Sequence, residues 1–190
     1  DLKYVQDDMN NVVIYKPATP GYENAPTVIL QGHMDMVCAK CPEIEHDFTK
    51  NGLKLVVKDG FLSAEGTTLG GDDGIAVAYG LALLDSTDLP HPALEVVFTV
   101  DEETGLLGAD GFDCSLLKGR RMINLDSEKE GCLWVSCAGG VAGNSYLPVR
   151  RVDASGRKVN VKVCGLVGGH SGAEIHKNRA SANILMGQFL

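Results

Sequence analysis

Thr27-Val28-Ile29-Leu30-Gln31-Gly32-His33-Met34-Asp35-Met36-Val37 is the stretch whose reading decides the fold. Val28-Ile29-Leu30 is short, apolar and rich in β-branched side chains, the composition of a buried strand. Gly32 is expected to let the backbone turn at the strand's end, which sets His33 and Asp35 just beyond it. In open α/β sheets ligands gather outside the carboxyl ends of strands, so this is a natural address for a site. A metal-bound imidazole usually has its second nitrogen fixed by a carboxylate, and Asp35 is close enough to serve. Taken alone, His-x-Asp reads equally well as a capped surface turn.

Two more apolar runs end in the same kind of residue. Leu94-Glu95-Val96-Val97-Phe98-Thr99-Val100 leads into Asp101-Glu102-Glu103-Thr104-Gly105, and Arg121-Met122-Ile123-Asn124-Leu125 leads into Asp126-Ser127-Glu128. Ahead of both, Gly66-Thr67-Thr68-Leu69-Gly70-Gly71-Asp72-Asp73-Gly74 opens the apolar run 75–84, expected to be a fully buried helix with Asp72 or Asp73 at its start. Asn11–Tyr15 reads as a first strand. Asp59-Gly60 between apolar runs marks a hairpin. Strands alternating with helices predict an α/β sheet, mixed because of that hairpin. Composition changes near Cys137, after which Val159–Cys164 alternates like an edge strand and Arg179–Leu190 reads as helix.

The whole composition narrows the function. The 190 residues are 44% apolar and 22% charged, a globular balance with room for a core. Seventeen basic against twenty-five acidic residues give a net charge of −8, which argues against a nucleic-acid or anionic-membrane partner. No apolar run approaches the ~20 residues that span a bilayer, and no leader opens the chain, although it starts as if in mid-sequence. The expectation is a soluble, cytoplasmic protein. Six cysteines are too irregular for a disulfide scaffold, and Cys38-Ala39-Lys40-Cys41 lacks a second pair at zinc-ribbon spacing.

Carboxylates converging on one sheet edge repel one another unless a cation neutralises them. One imidazole with several carboxylates suits zinc, cobalt or manganese, and this many anionic donors favours two metals, which need a bridging carboxylate. Of the adjacent Glu102 and Glu103, one is suited to ligate and the other to take a proton from a metal-activated water. Gly169-His170-Ser171-Gly172-Ala173 falls short of a serine-hydrolase elbow, and the glycine-rich segment lacks the lysine of a phosphate loop. His46 and His91 are expected at the surface; His176 is a lesser candidate for substrate contact.

Gly32–Val37, Gly66–Ile75, Thr99–Gly105 and Asn124–Glu128 resemble, in order, the motifs of the M20 family of dizinc peptidases, and are most similar to its Xaa-His dipeptidase branch. Cys137–Val141 and Gly168–His176 resemble that branch as well. The resemblance implies a zinc-exopeptidase-like three-layer αβα catalytic domain with a mixed sheet over residues 1–137, then the beginning of an α+β lid domain over 138–190. It implies His33 and Asp126 as terminal ligands of one metal, Asp72 as the bridge, and Glu103 as a ligand of the second. Glu102 is implied as general base, Asp35 as the partner of His33, and His170 as the lid histidine that contacts substrate. The family has alanine at the position of Gly71 and asparagine at that of Asp73, which leaves open which aspartate bridges. Its last metal ligand, a histidine, comes from a far C-terminal segment, so the second site is expected to be incomplete here and the chain a fragment. The implied reaction is metal-dependent hydrolysis of Xaa-His and other short peptides, with a homodimer compatible with the full-length protein. The rival readings are an M20-type deacylase or amidohydrolase, and a truncated, non-catalytic metal-binding module.

Overall fold

A computed structural model describes residues 1–127, 129–137, 139–141, 143–153, 155–169 and 174–190. The chain divides into two compact units, Asp1–Gly131 and Cys132–Leu190.

The first unit is built on a five-stranded mixed sheet. Its strands are β1 (Lys3–Gln6), β2 (Val12–Lys16), β3 (Val28–His33), β6 (Leu94–Thr99) and β7 (Arg121–Asn124), in the order β1-β2-β6-β3-β7. β3 runs parallel to both β6 and β7, while β1 and β2 are antiparallel additions on the β6 side. The sheet is mixed because of β1 and β2. The expected hairpin forms, as β4 (Leu55–Lys58) and β5 (Phe61–Ala64), but as a separate two-stranded sheet. Asp59 and Gly60 both have positive φ there, as a two-residue turn matching strand twist requires.

All six residues of β6 are buried, Glu95 and Thr99 included, as a central strand covered on both faces requires. Alternation divides its side chains between two cores. Val97 joins Ile29 and Val13 on one face, under Phe112, Leu116 and Leu117; Val96 and Phe98 join Leu30 on the other, under Val77, Leu83 and Leu84 of helix α1 (Gly71–Asp85). Both faces are therefore covered, in the α/β manner. Buried Glu95 accepts hydrogen bonds from the amides of Lys118 and Gly119, which steadies the chain as it approaches β7.

Helix α1 is not buried all round. Ala76 and Gly80 face the sheet, whereas Ile75, Tyr79 and Leu81 are exposed, because a helix lying on a sheet buries one stripe and the opposite face has no cover among the described residues. Gly32 also has a different task from the expected turn. It lies within β3, and a Cβ there would fall 2.3 Å from Ala76 Cβ and 2.5 Å from Asp73 Oδ2. Its missing side chain lets the start of α1 press against the end of β3. Gly80 does the same farther along, where a Cβ would meet the Phe98 ring at 2.7 Å.

The second unit holds α3 (Ala182–Phe189), whose first turn is capped by Ser181, within the span expected to be helical. Arg179 pairs with Glu174 and donates to the Gly168 carbonyl. The expected strand at 159–164 is absent: those described residues pair with no other strand, and an alternating segment becomes a strand only when its backbone finds a partner. In the first unit a short helix, α2 (Leu107–Asp110), follows β6.

Substituting Gly32→Ala should destabilise the chain by about 1–3 kcal/mol through overpacking against Ala76 and Asp73. Urea denaturation of the variant against the parent measures this; equal midpoints would show that the close approach is not needed.

Candidate metal centre

The parallel register places the ends of β3, β6 and β7 along one edge of the sheet. His33 pairs with Thr99, and the backbone bonds Met34 N to Thr99 O and Leu125 N to Gln31 O carry the alignment past the strand ends. Segments remote in sequence thus deliver His33, the Glu102–Glu103 pair and Asp126 to one place. The start of α1, admitted by Gly32, adds Asp72 and Asp73, whose backbone departs from helical geometry and whose connecting peptide is cis.

His33 is the centre of the arrangement and is 1% exposed. Its Nδ1 lies 2.9 Å from the backbone carbonyl of Asp35 and 3.3 Å from the Asp35 carboxylate. Its Nε2 lies 3.1 Å from Asp72 Oδ1. Both ring nitrogens face acceptors, so Nε2 carries either a proton or, in its place, a cation. Burial pushes the imidazole pKa down, but the Asp72 hydrogen bond and the charges of Asp126, Asp35 and Glu102 outweigh it, and the net displacement is upward.

The Asp35 carboxylate has a second employment that sequence reasoning missed. Its Oδ1 accepts from the Glu102 amide and its Oδ2 from the Glu103 amide, each at 3.1 Å. Burial works against its charge, yet these amide bonds win and hold its pKa below the ordinary value. One residue therefore fixes the loop bearing both glutamates with its carboxylate and the histidine ring with its backbone carbonyl. A polar ladder beneath the site was also missed. Thr99 Oγ1 accepts from Gln31 Nε2, Gln31 Oε1 from Asn124 Nδ2, and Asn124 Oδ1 from the Asp126 amide. The sequence offered only a glutamine and an asparagine inside apolar runs, with nothing to say that they pair with each other.

Two groups of potential ligands share His33. The donor atoms of His33, Asp73 and Asp126 lie within 4.8 Å of one another, and so do those of His33, Asp72 and Glu103. Asp72 is exposed and Asp73 is 1% exposed, its Oδ2 accepting the His33 amide at 3.3 Å. Burial, then the charge of Asp126, pushes Asp73 up to about 6. Asp126 and Glu102 are also raised, with burial the leading cause for each and neighbouring carboxylates adding to it. Imidazole and carboxylate donors this close, with their charges unfavourable to one another, suit a divalent cation of the zinc, cobalt or manganese type.

Hollows of about 220 and 250 Å³ open beside the cluster, one bordered by Leu69, Asp72 and Glu103, the other by Thr99, Glu102 and Asp126. A larger one, about 600 Å³, lies at the opposite ends of the strands around Lys3, Tyr15 and Glu95, far from these groups. His46 is half-buried rather than at the surface. His91 is buried too, because the Thr19 hydroxyl and backbone tie down its loop and Nδ1 meets the Pro92 carbonyl. His176 is exposed in the second unit. His170 lies outside the described residues.

Comparison with known proteins bears on the whole chain. No family model matches it. It is 42% identical over 187 residues, 97% of its length, to the cytosol non-specific dipeptidase of Escherichia coli (strain K12), and that match spans 39% of the relative. The aminoacylhistidine dipeptidase of Vibrio alginolyticus superposes with a TM-score of 0.72 at 38% identity, over the full chain and 39% of that structure. The aminopeptidase PepT of Bacillus cereus superposes with a TM-score of 0.53 at 28% identity, over 67% of the chain and 34% of that structure. The chain thus spans about two fifths of the dipeptidases it matches. Its ordered motifs, its likeness to one dipeptidase along nearly all its length and the fold it shares with another place it in the M20 peptidase family.

Proposed function

We propose that the chain is the metal-binding part of a cytoplasmic, zinc-dependent dipeptidase that hydrolyses Xaa-His and other short peptides. The observation that carries this reading is the pair of ligand groups meeting at His33. Kinship with a cytosol non-specific dipeptidase supplies the substrate class. In this reading His33 and Asp126 would hold one cation, Glu103 would ligate the other, and Asp72 would be shared between them. Asp73, buried against the His33 amide, supports the strand end from beneath. Cations bound there would polarise a peptide carbonyl and acidify a water.

The protein's own part is proton handling and placement. Glu102 takes the proton from the attacking water and returns it to the leaving amine. Burial raises its pKa, which makes it a better base than an exposed glutamate. Asp35 keeps the Glu102 and Glu103 backbones fixed during that exchange. His170, in the lid that begins near residue 138, contacts substrate and steadies the developing oxyanion. Among the described residues no helix is long and apolar enough to cross a membrane.

In the full-length polypeptide Glu102→Gln should lower kcat for dipeptides by about 10²–10⁴-fold. Zinc content measured on the same sample should stay unchanged. Undiminished hydrolysis would remove Glu102 as the base, and preference for N-acetyl amino acids over free dipeptides would replace the dipeptidase reading with a deacylase.

Stability without metal provides a separate check. Asp73 titrates near 3.8 when unconstrained and at about 6 when folded. Between those values the folded chain holds more protons than the unfolded one, so stability falls as pH rises. Asp126 and Glu102 act in the same sense, and the raised His33 loses its contribution as pH climbs through its folded value. Asp35, Asp47 and Asp113 are lowered and act oppositely, but their contribution is complete by about pH 5. Calorimetry of the metal-free chain should therefore show lower stability at pH 7 than at pH 5, with Asp73 accounting for roughly 1–2 kcal/mol after solvent screening. Zinc added at pH 7 should reverse the loss. A flat profile that zinc leaves unaltered would count against a cation site.

A further inference from the structure

The loop carrying Glu102 and Glu103 leaves β6 at Val100 and enters α2 at Leu107. Two of its non-glycine residues, Asp101 (φ 55°) and Leu106 (φ 62°), occupy the left-handed region, which such residues hold only when their surroundings fix them. Asp35 grips the loop at Glu102 and Glu103. Its mouth is closed by Gly108 N donating to Val100 O and Leu107 N to Asp101 O.

Asn11, immediately before β2 and 1% exposed, spans that mouth. Its Oδ1 accepts from Val100 N at 3.1 Å, and its Nδ2 donates to Gly108 O at 2.9 Å. The same Nδ2 donates to Asp7 Oδ2 at 2.8 Å, while Asp7 Oδ1 accepts the Asn11 amide at 2.8 Å. A carboxylate only accepts and a backbone amide only donates, so the amide can sit one way round. Gly108 is just as constrained: a Cβ would stand 2.2 Å from Val100 O and 2.6 Å from Asn11 Oδ1.

We propose that Asn11 is a positioning residue for the hydrolytic reaction, tying both ends of the Glu102–Glu103 loop to the start of β2 so that the two carboxylates keep their working geometry. The inference rests on the dipeptidase reading for its effect on turnover, and on geometry alone for its effect on the loop. Asn11→Asp is close to isosteric, but it sets a carboxylate oxygen against Asp7 and the Gly108 carbonyl where the donor was.

The test uses the zinc-loaded full-length polypeptide and the variants Asn11→Asp, Asn11→Ala and Gly108→Ala, each first shown by circular dichroism to be folded. Asn11→Asp should lower kcat by about 10²-fold, as misplacement of reacting groups does, with KM little changed. Asn11→Ala and Gly108→Ala should share that signature, and combining them should cost less than the product of the two, because both open the same mouth. Amide hydrogen exchange, read with and without zinc, should quicken at Val100 and from Glu102 to Leu107 but not along β3. Parental kcat in Asn11→Asp, or exchange that quickens equally across the sheet, would overturn the proposal. If the parent protein hydrolyses no peptide, the dipeptidase reading fails by itself. Loop exchange then decides: unaltered rates at Val100 and Glu102–Leu107 refute the tie, and quickening confined to them upholds it.

Discussion

A buried imidazole surrounded by carboxylates is the condition on which the rest of the first unit depends. Such a group of charges is unfavourable in a low-dielectric setting unless each member is hydrogen-bonded or neutralised. The chain meets part of the demand with its own backbone. Asp35 is satisfied by two amides, Asp73 by the His33 amide, and the Asp126 segment by Asn124. Glu102, Asp73 and Asp126 nevertheless retain raised pKa values. Neighbouring acid contributes to each, and the remaining demand is one that a bound cation would meet.

The scaffold makes that concentration of charge structurally tolerable. Parallel pairing aligns three strand ends, and the apolar faces beneath them are packed from both sides by α1 and by the segment from Phe112 to Leu117. Buried Glu95 steadies the approach to β7 without taking part in the site. The charged edge is thus a thin layer on a conventional core. Small residues decide how closely its pieces meet: Gly32 at the strand end and Gly80 over Phe98 let α1 lie against the sheet.

Much of this was legible in the sequence because it depends on local pattern. The apolar runs ending in His33, Glu102 and Asp126 are the strands β3, β6 and β7, and Asp59-Gly60 is a hairpin turn. What escaped depends on the third dimension. The place of Gly32 inside β3 is set by a helix forty residues later, so its local reading as a turn residue could not reveal a packing role. β1 was not anticipated, since Lys3–Gln6 gains its strand character from pairing with β2. Val159–Cys164 shows the reverse, an alternating pattern with no partner among the described residues. The surface reading of His91 failed because flanking prolines do not reveal that Thr19 holds the loop inward. For the candidate site, residue types and order were readable, whereas the twofold use of Asp35 and the Gln31–Asn124 ladder needed coordinates.

The parallel pairing of β3 with β6 and β7 has a consequence for how the molecule comes into being. Val28 pairs with Leu94 and with Arg121, partners far away along the chain, so no short peptide cut from it can bring the donors together. The centre is a product of the last, non-local stage of folding, the stage that loop closure makes slow. An ion that recognises the assembled donors binds the native chain and not its unfolded form, and so draws the folding equilibrium toward completion by mass action. Nascent or partly unfolded copies would compete poorly for scarce metal, leaving it to molecules that have finished folding.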